Sequence, residues 1–272
     1  MRFRSFEYVS KRLVRRWILT HSVTNLLKKI WPGFLYSNLN ETSSAFLVNR
    51  YVAFAEEFGF DLRGKTMLEI GVGATNSVGY GMVACCGVNY WAYEPYVGLN
   101  PKLDSRLKAE MCVKYPEFDA AKVNRIVDLK PIPDASVDFI GSSSVLEHVY
   151  ELPALLLELK RVLKRDGMMV HVVDYRDHFF KYPYEFLCYS ERVWTHCLSP
   201  GSLPRWRLKD HVELFEKAGF VCELRDVARL ELDFAQIEPY IDAKFAHYKP
   251  SDLAVSWAVL VVRFADQNPA RK

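Results

Sequence analysis

The segment Thr66–Thr75, with the sequence TMLEIGVGAT, decides the fold of this chain. It is a short apolar run that carries one carboxylate, Glu69, and then breaks into two closely spaced glycines. Such an apolar run is typical of a buried strand, and Gly71 and Gly73 allow the backbone to turn tightly beside a ligand. The pattern therefore predicts a strand over Thr66–Ile70 that ends in a ligand-binding turn.

The residues after the turn complete a β-α-β unit. A helix is predicted from about Asn76 to Cys86, with Gly87 ending it, and its first N–H groups would point at the ligand. A second apolar run then ends in Glu94, about twenty residues after the glycines. A carboxylate at the end of the second parallel strand can accept hydrogen bonds from both hydroxyls of a ribose. The sequence therefore predicts a nucleoside-binding unit.

Proteins that bind nicotinamide dinucleotides are one alternative class. Their G-x-G-x-x-G pattern needs a third glycine, which allows the helix to pack closely on the strand. Counting from Gly71, that position is Asn76, and a carboxylate inside the first strand is foreign to the pattern. The E-x-G-x-G spacing from Glu69 instead resembles motif I of the class I S-adenosylmethionine-dependent methyltransferases, with Thr75 where a third glycine usually stands.

The middle of the chain resembles the same family. The segment VDFIGSSSVLEHV begins at Val137 and is predicted to form the fourth strand and the turn after it, and Met168–Tyr175 is predicted as the fifth strand. With motif I, the resemblance covers roughly residues 64–264. It implies an α/β, three-layer Rossmann-like methyltransferase fold, whose seven-stranded sheet is mostly parallel with the last strand antiparallel. The third strand is predicted near Val123–Val127, and the last two strands near Val221–Val227 and Val255–Phe264.

A helix is predicted between the fourth and fifth strands. Leucine and valine residues recur at i, i+3 and i+4 from Leu152 onward, which indicates one apolar helix face. Lys164 and Arg165 are typical of a helix C-terminus, and Gly167 is predicted to end the helix in the left-handed conformation.

The resemblance implies S-adenosylmethionine as the cofactor and gives roles to residues around the glycine turn. Glu69 is expected to orient the turn and to offset the positive charge of the cofactor. Glu94 is expected to hold the ribose hydroxyls, Asp128 to accept a hydrogen bond from the adenine amino group, and Ser143 to close the floor of the pocket. The full expected cofactor-binding set is Glu69, Gly71, Gly73, Thr75, Glu94, Pro95, Asp128 and Ser143.

Two histidines follow the fourth and fifth strands, on the expected catalytic edge of the sheet. The sulfonium methyl is already activated, so the protein mainly holds a nucleophile in line with it, and a base helps an oxygen nucleophile to lose its proton. His178 and His148 are both candidates, because histidine titrates near neutrality. The alternatives are a hydrogen-bonded anchor for His178 and a role in the entry to the next helix for His148.

The residues around His148 also bear on whether the chain binds a metal ion. Some relatives bind a divalent metal through E-x-x-E-H at this place, but here the first position is Ser144. Glu147 and His148 alone make a poor site. We therefore expect no metal.

An aromatic-rich segment over about residues 176–207, here called the lid, follows the fifth strand and is placed to roof the pocket. Its rings suit a sugar or another planar substrate, or alternatively fill a small core of the lid itself. The segments DYRDHF from Asp174 and RWRLKD from Arg205 resemble a subgroup associated with cell-surface polysaccharide synthesis, which has Asn where Pro204 stands. Arg205 and Arg207 are expected to bind an acidic part of the acceptor.

The function predicted from these features is transfer of a methyl group from S-adenosylmethionine, by O-methylation of a saccharide-like or other small-molecule acceptor. The alternative is a cofactor-binding scaffold without catalysis. An intact glycine turn and an intact Glu94 favour the enzyme.

Residues 1–40 are predicted to be a basic amphipathic extension of a methyltransferase domain over residues 41–266. Its predicted helix has a basic side and an apolar side. The basic side consists of Lys11, Arg12, Arg15 and Arg16, and the apolar side consists of Leu13, Val14, Trp17 and Ile18. Such a helix can make weak contact with an anionic membrane surface. The alternative, which we favour, is a capping helix that lays its apolar side on the domain and keeps its charges in solvent.

Composition bounds the remaining possibilities. With 272 residues and half of them hydrophobic, the chain is long enough for one domain with a large core. A net charge of +3, without a recognisable basic module, argues against nucleic acid as a partner. Six cysteines without metal-ligand spacing indicate reduced thiols, and we expect a cytoplasmic protein, at most peripheral to the membrane.

Overall fold

The structure is a computed structural model that describes residues 3–18, 42–179, 181–199, 201 and 203–267. The strands are β1 (Thr66–Ile70), β2 (Asn89–Tyr93), β3 (Val123–Ile126), β4 (Val137–Ser143), β5 (Leu163–Asp174), β6 (Phe220–Arg229) and β7 (Val255–Phe264). The α-helices are α1 (Phe3–Leu13), α2 (Thr42–Glu57), α3 (Ser77–Cys86), α4 (Pro101–Lys114), α5 (Leu152–Val162), α6 (Glu191–Val193), α7 (Leu208–Lys217), α8 (Glu231–Ala235) and α9 (Pro250–Leu253).

The strands form one seven-stranded sheet in the order β3-β2-β1-β4-β5-β7-β6. β1 to β5 pair in parallel, and β7 is antiparallel to both of its neighbours. This confirms the predicted Rossmann-like methyltransferase fold. The strand order reverses between β1 and β4, and in open sheets the ligand crevice lies beyond the carboxyl ends of the strands at such a point.

Helices cover both faces of the sheet because successive residues of β1 point into two different apolar layers. Leu68 belongs to the layer that contains Leu156 of α5 and Phe215 of α7. Met67 belongs to the opposite layer, with Tyr51 of α2 and Met82 of α3. The two layers fix β1 from both sides and so fix the position of the glycine turn at its end.

The helix after the glycine turn ends as the sequence predicts. Gly87 follows α3 with a φ of 65°, in the left-handed region that favours glycine. Its N–H donates to the Val83 carbonyl oxygen at 2.8 Å, which closes the last turn of the helix.

The predicted end of α5 is wrong. The helix stops at Val162, and β5 begins at Leu163, so that Lys164, Arg165 and Gly167 lie in the strand. Lys164 pairs sideways with Asp138 of β4 at 2.8 Å instead of facing the helix end. Gly167 is not at a positive φ; it is needed because a Cβ there would lie 2.8 Å from the Asp138 carbonyl oxygen.

The N-terminal helix packs with a different side from the one expected. Tyr8 is fully buried and Arg12 is 3% exposed, whereas Phe6 and Trp17 are 59% and 65% exposed. Arg12 is buried because it forms an ion pair with Asp177 of the lid, which is itself fully buried. The capping prediction was therefore right about the contact and wrong about the side, while the membrane contact stays a prediction. Among the described residues, no helix is both long and apolar enough to cross a bilayer.

Candidate active site

The glycine turn at the end of β1 has two glycines for two different reasons. Gly71 has a φ of 76°, and a Cβ on it would come within 2.4 Å of a methyl group of Val145. Gly73 has a φ of 69° with open space around it, so the backbone conformation alone requires glycine there. The Gly71 N–H donates to the Tyr93 carbonyl oxygen at 2.8 Å, which ties the turn to the end of β2.

Glu94 lies directly beside this turn and is 6% exposed. Its carboxylate accepts hydrogen bonds from the N–H groups of Gly73, Tyr96 and Val97 at 2.9, 3.0 and 3.0 Å. The structure therefore brings together the predicted turn and the predicted ribose acceptor. Pro95, the next residue, is exposed. Contact of Glu94 with a ribose stays a prediction.

Arg125 of β3 is a residue that the sequence interpretation missed. Its guanidinium donates to the carbonyl oxygens of Gly73 at 2.6 Å and Val97 at 2.8 Å, and to the side-chain oxygen of Asn76 at 3.2 Å. It holds the turn through the Gly73 carbonyl oxygen, whereas Glu94 holds it through the Gly73 N–H. A cation inside a short strand was the only available signal.

Glu69 is 4% exposed, under α2. Tyr51 donates to one of its oxygens at 3.5 Å, and Tyr90 donates to the other. Burial raises the pKa of Glu69 to about 7, against the lowering effect of the two tyrosine hydroxyls. These hydrogen bonds go to tyrosines, so the expected role of Glu69 in orienting the turn stays a prediction.

Thr75 leads into α3 beside a carboxylate that the sequence interpretation also missed. Asp104 of α4 is 7% exposed and accepts hydrogen bonds from the Asn76 N–H at 2.7 Å and the Tyr80 hydroxyl at 2.6 Å. Thr75 is itself buried and its hydroxyl donates to Ser77 at 3.3 Å. Asp104 thus orders the start of α3, next to the glycine turn.

Asp128 follows β3 and Ser143 is the last residue of β4, at the carboxyl ends of the two strands. Asp128 is half exposed and accepts a hydrogen bond from the Lys130 N–H at 3.1 Å. That hydrogen bond lowers the pKa of Asp128. Ser143 is half-buried at the end of β4 and precedes Ser144, whose φ is 54°. Their contacts with the adenine and with the pocket floor stay predictions.

The two candidate catalytic histidines meet. The Nε2 atoms of His148, which follows β4, and His178, which follows β5, lie 2.9 Å apart, and the ring centroids lie 4.7 Å apart. Burial, and then the neighbouring His148, lowers the pKa of His178. The lowered pKa favours the neutral form of His178, and one of the two rings donates a hydrogen bond to the other.

Glu147 lies beside this pair and is 2% exposed. Neither of its carboxylate oxygens has a hydrogen-bond partner among the described residues. Burial raises the pKa of this carboxyl well above its usual range. Ligand atoms of Glu147, His148 and His178 all lie within 4.8 Å of one another. The expectation of no metal assumed two ligands, whereas the lid brings a third.

The aromatic residues of the lid form a core of their own. The buried rings are Tyr182, Tyr184, Phe186 and Trp194, together with Tyr8 of α1. Phe180, another aromatic residue of the predicted lid, lies outside the described residues. Trp206 differs, because it is half-buried and donates to the Val149 carbonyl oxygen at 2.8 Å, next to His148.

Arg205 and Arg207 do not face the pocket as expected. Arg207 is fully buried and donates to the carbonyl oxygens of Tyr175, Leu253 and Val255 at 2.6, 2.9 and 2.7 Å. Arg205 is 3% exposed and donates to carbonyl oxygens of the lid and to Glu191. Both guanidiniums are used to hold the lid together and onto the sheet, so neither is available to an acceptor.

Comparison with known proteins agrees with the fold and with the cofactor side of the site. Residues 68–171 match the family model described as a methyltransferase domain. The match contains the glycine turn and Glu94, and it supports the class I methyltransferase family with S-adenosylmethionine as its cofactor. His178 and the whole lid lie outside it. A search of curated proteins gave no match to the sequence.

Solved structures show the same fold at low sequence identity. The phosphoethanolamine N-methyltransferase 2 of Haemonchus contortus, in complex with S-adenosylmethionine, is 16% identical with a TM-score of 0.53; the alignment covers 88% of this chain and 59% of that one. A Galdieria sulphuraria protein assigned as a sarcosine dimethylglycine methyltransferase is 14% identical, with a TM-score of 0.50 and coverage of 82% and 85%. A geranyl diphosphate methyltransferase is 12% identical, with a TM-score of 0.50 and coverage of 83% and 78%. The chain spans little more than half of the first of these proteins.

Proposed function

We propose that this chain transfers a methyl group from S-adenosylmethionine to an oxygen atom of a saccharide-like or other small-molecule acceptor. The observation that carries the proposal is the meeting of His148 and His178 at the carboxyl ends of β4 and β5, with Nε2 atoms 2.9 Å apart. A fold of this class binds its ligands beyond the carboxyl ends of these strands.

The cofactor side supports the proposal through its backbone geometry. The positive φ of Gly71 and Gly73 opens the turn at the end of β1. Glu94 holds that turn through the Gly73 N–H and has a second oxygen on the next loop. A ribose would compete for this carboxylate through its two hydroxyls, since charge-assisted hydrogen bonds are the strong ones. These contacts support a nucleoside site at the turn.

The acceptor side supports oxygen as the atom that is methylated. A hydroxyl oxygen that attacks a sulfonium methyl carbon must lose its proton as the carbon–sulfur bond breaks. His178 would accept that proton at Nδ1, because its Nε2 is engaged in the hydrogen bond with His148 that holds the imidazole in place. A neutral imidazole is the form that can do this, and the lowered pKa of His178 favours it.

A small acceptor is supported by what is bound in two structures of similar fold. One is the Haemonchus contortus enzyme in complex with phosphomonomethylethanolamine and S-adenosylhomocysteine, and another is the geranyl diphosphate methyltransferase in complex with GPP and sinefungin. The saccharide-like acceptor and the polysaccharide subgroup rest on the resemblance of the lid sequence, and the cytoplasmic location stays a prediction.

Calorimetry with S-adenosylmethionine, S-adenosylhomocysteine and NAD tests the cofactor. We expect both sulfur nucleosides to bind and NAD not to bind. Binding of NAD in place of both would overturn the proposal. Labelled methyl transfer to a panel of saccharides, nucleotide sugars and amines then tests the acceptor. Cofactor binding without transfer to any of them would favour the scaffold alternative, and transfer to amines alone would overturn the choice of oxygen.

A further inference from the structure

A buried carboxyl without a partner needs an explanation, because a desolvated charge costs several kcal/mol when nothing compensates it. Glu147 is such a group: it is 2% exposed, and both of its oxygens lack a hydrogen-bond partner among the described residues. The nearby charges already have partners, since Asp174 is paired with Arg176 at 2.7 Å and Asp177 with Arg12. Either a proton or a cation would satisfy Glu147.

The position of the two histidines favours a cation. Glu147 and His148 come from the turn after β4, and His178 comes from the lid after β5, so two separate elements converge on one point. Two nitrogens that bind one zinc ion at about 2.0–2.1 Å in tetrahedral geometry are about 3.3 Å apart. The Nε2 atoms are 2.9 Å apart, and all three ligand atoms lie within 4.8 Å. Small side-chain rotations would bring all three onto one ion.

We propose that Glu147, His148 and His178 bind one divalent transition-metal ion of the zinc or iron(II) class, with a remaining coordination position for an oxygen of the acceptor. Two imidazoles and one carboxylate suit such ions, whereas magnesium and calcium prefer oxygen ligands alone. The binding of the ion is independent of the proposed function; only the acceptor oxygen rests on it. In the metal-bound chain the two imidazoles would be ligands, the ion would lower the pKa of the bound acceptor hydroxyl, and its proton would leave to water.

Cobalt(II) is a direct probe, because its visible absorption reports the ligands around it. The full chain, stripped of metal with a chelator and held without cofactor or acceptor, should take up one equivalent of cobalt(II), and zinc should displace it. Calorimetry with zinc(II) should give the same stoichiometry. Magnesium(II) should give neither a displacement nor a heat signal at similar concentrations.

Three variants locate the ion. His178→Ala and Glu147→Gln should each weaken cobalt(II) binding at least about tenfold, since each removes one of three ligands. His196→Ala is the matched control: this histidine is also in the lid but is exposed and hydrogen-bonded to the Arg192 carbonyl oxygen. It should bind cobalt(II) like the unmodified chain. Circular dichroism and thermal unfolding check that each variant is folded.

Absence of cobalt(II) and zinc(II) binding by the unmodified chain would overturn the inference, as would unchanged binding in a folded His178→Ala variant. The proposed function fails separately. A chain that binds S-adenosylmethionine but no metal loses the metal site and keeps the methyltransferase function. A chain that binds cobalt(II) at these residues but no sulfur nucleoside keeps the metal site and loses the methyltransferase function.

Discussion

The two sides of the crevice are held together in different ways. On the cofactor side, a backbone turn and a side chain of one β-α-β unit meet: the Gly73 N–H donates to the Glu94 carboxylate, which is only 21 residues further along the chain. On the acceptor side, buried side chains join distant segments: Tyr8 and Arg12 of α1 reach Asp177 of the lid across 169 and 165 residues. A site made from nearby backbone is visible in a short motif, whereas a site made from distant side chains appears only when the chain is folded.

The largest effect is expected where α1 holds the lid. Arg12→Ala leaves Asp177 buried without its cation, and breaking a buried ion pair in this way costs about 3–5 kcal/mol. Hydrogen exchange of the lid amides measures that loss. Lys11→Ala is the control, because Lys11 forms an exposed pair with Glu7, and it should not measurably change exchange. The affinity for S-adenosylmethionine should change little. If Arg12→Ala weakened cofactor binding as much as it loosened the lid, the two sides of the crevice would not be independent.

His178→Ala is expected to reduce turnover by about a hundredfold or more, or roughly 2.7 kcal/mol in the activation free energy, because it removes the imidazole that faces the acceptor. The affinity for S-adenosylmethionine should stay the same, since His178 lies on the acceptor side. Turnover measured with a known acceptor, beside cofactor titration by calorimetry, checks both. Full activity of the variant would remove His178 from the chemistry and leave positioning as the source of the rate.

How much the sequence predicts follows the same division. Gly71, Gly73 and Glu94 could be identified because a tight turn needs positive φ and because the strands on either side are short. Arg125 could not, since its partners are carbonyl oxygens of loops that the sequence does not place. The prediction of where α5 ends is wrong for a related reason. Lysine is common at a helix C-terminus, but Lys164 pairs with Asp138 on the neighbouring strand, and it therefore lies in β5.

The histidine pair shows the limit most clearly. His148 and His178 could each be placed at the catalytic edge from strand positions, but nothing in their spacing says that they touch. The lid brings His178 next to His148 and Glu147, and buried arginines hold the lid together. Arg205 and Arg207 looked like acceptor-binding residues because guanidinium groups suit acidic ligands. The same five donors suit carbonyl oxygens, and only the folded chain shows which partner is present.

Glu94→Ala tests the cofactor side. Loss of charge-assisted hydrogen bonds to the ribose, and of the contact that holds Gly73, should weaken S-adenosylmethionine binding by about 1.5–3 kcal/mol. Pro95→Ala is a suitable control, because Pro95 is adjacent and exposed. Calorimetry with the cofactor and with S-adenosylhomocysteine measures both variants. Unchanged affinity in Glu94→Ala would mean that the nucleoside binds elsewhere, and the glycine turn would then not be the cofactor side of the crevice.

The smallest effect is a pH dependence at Glu69. Its pKa in the folded chain is raised to about 7, above the unfolded value, so the folded state binds the extra proton. The free energy of unfolding should therefore fall as the pH rises from about 4.5 to about 7, by at most about 3 kcal/mol, and level off above that range. Glu69→Gln cannot ionise and should lack this slope, while its amide oxygen can still accept from Tyr51 or Tyr90.

Denaturant unfolding of both proteins at several pH values measures the slope, and the same experiment with bound ligands tests the role implied for Glu69. The sulfonium of S-adenosylmethionine is positive and S-adenosylhomocysteine is neutral. If Glu69 offsets that charge, the sulfonium should lower its pKa and flatten the slope, and S-adenosylhomocysteine should leave the slope as it is. Identical slopes with the two ligands would show that Glu69 serves the packing of Tyr51 and Tyr90 under α2, and that the cofactor charge is met by other groups.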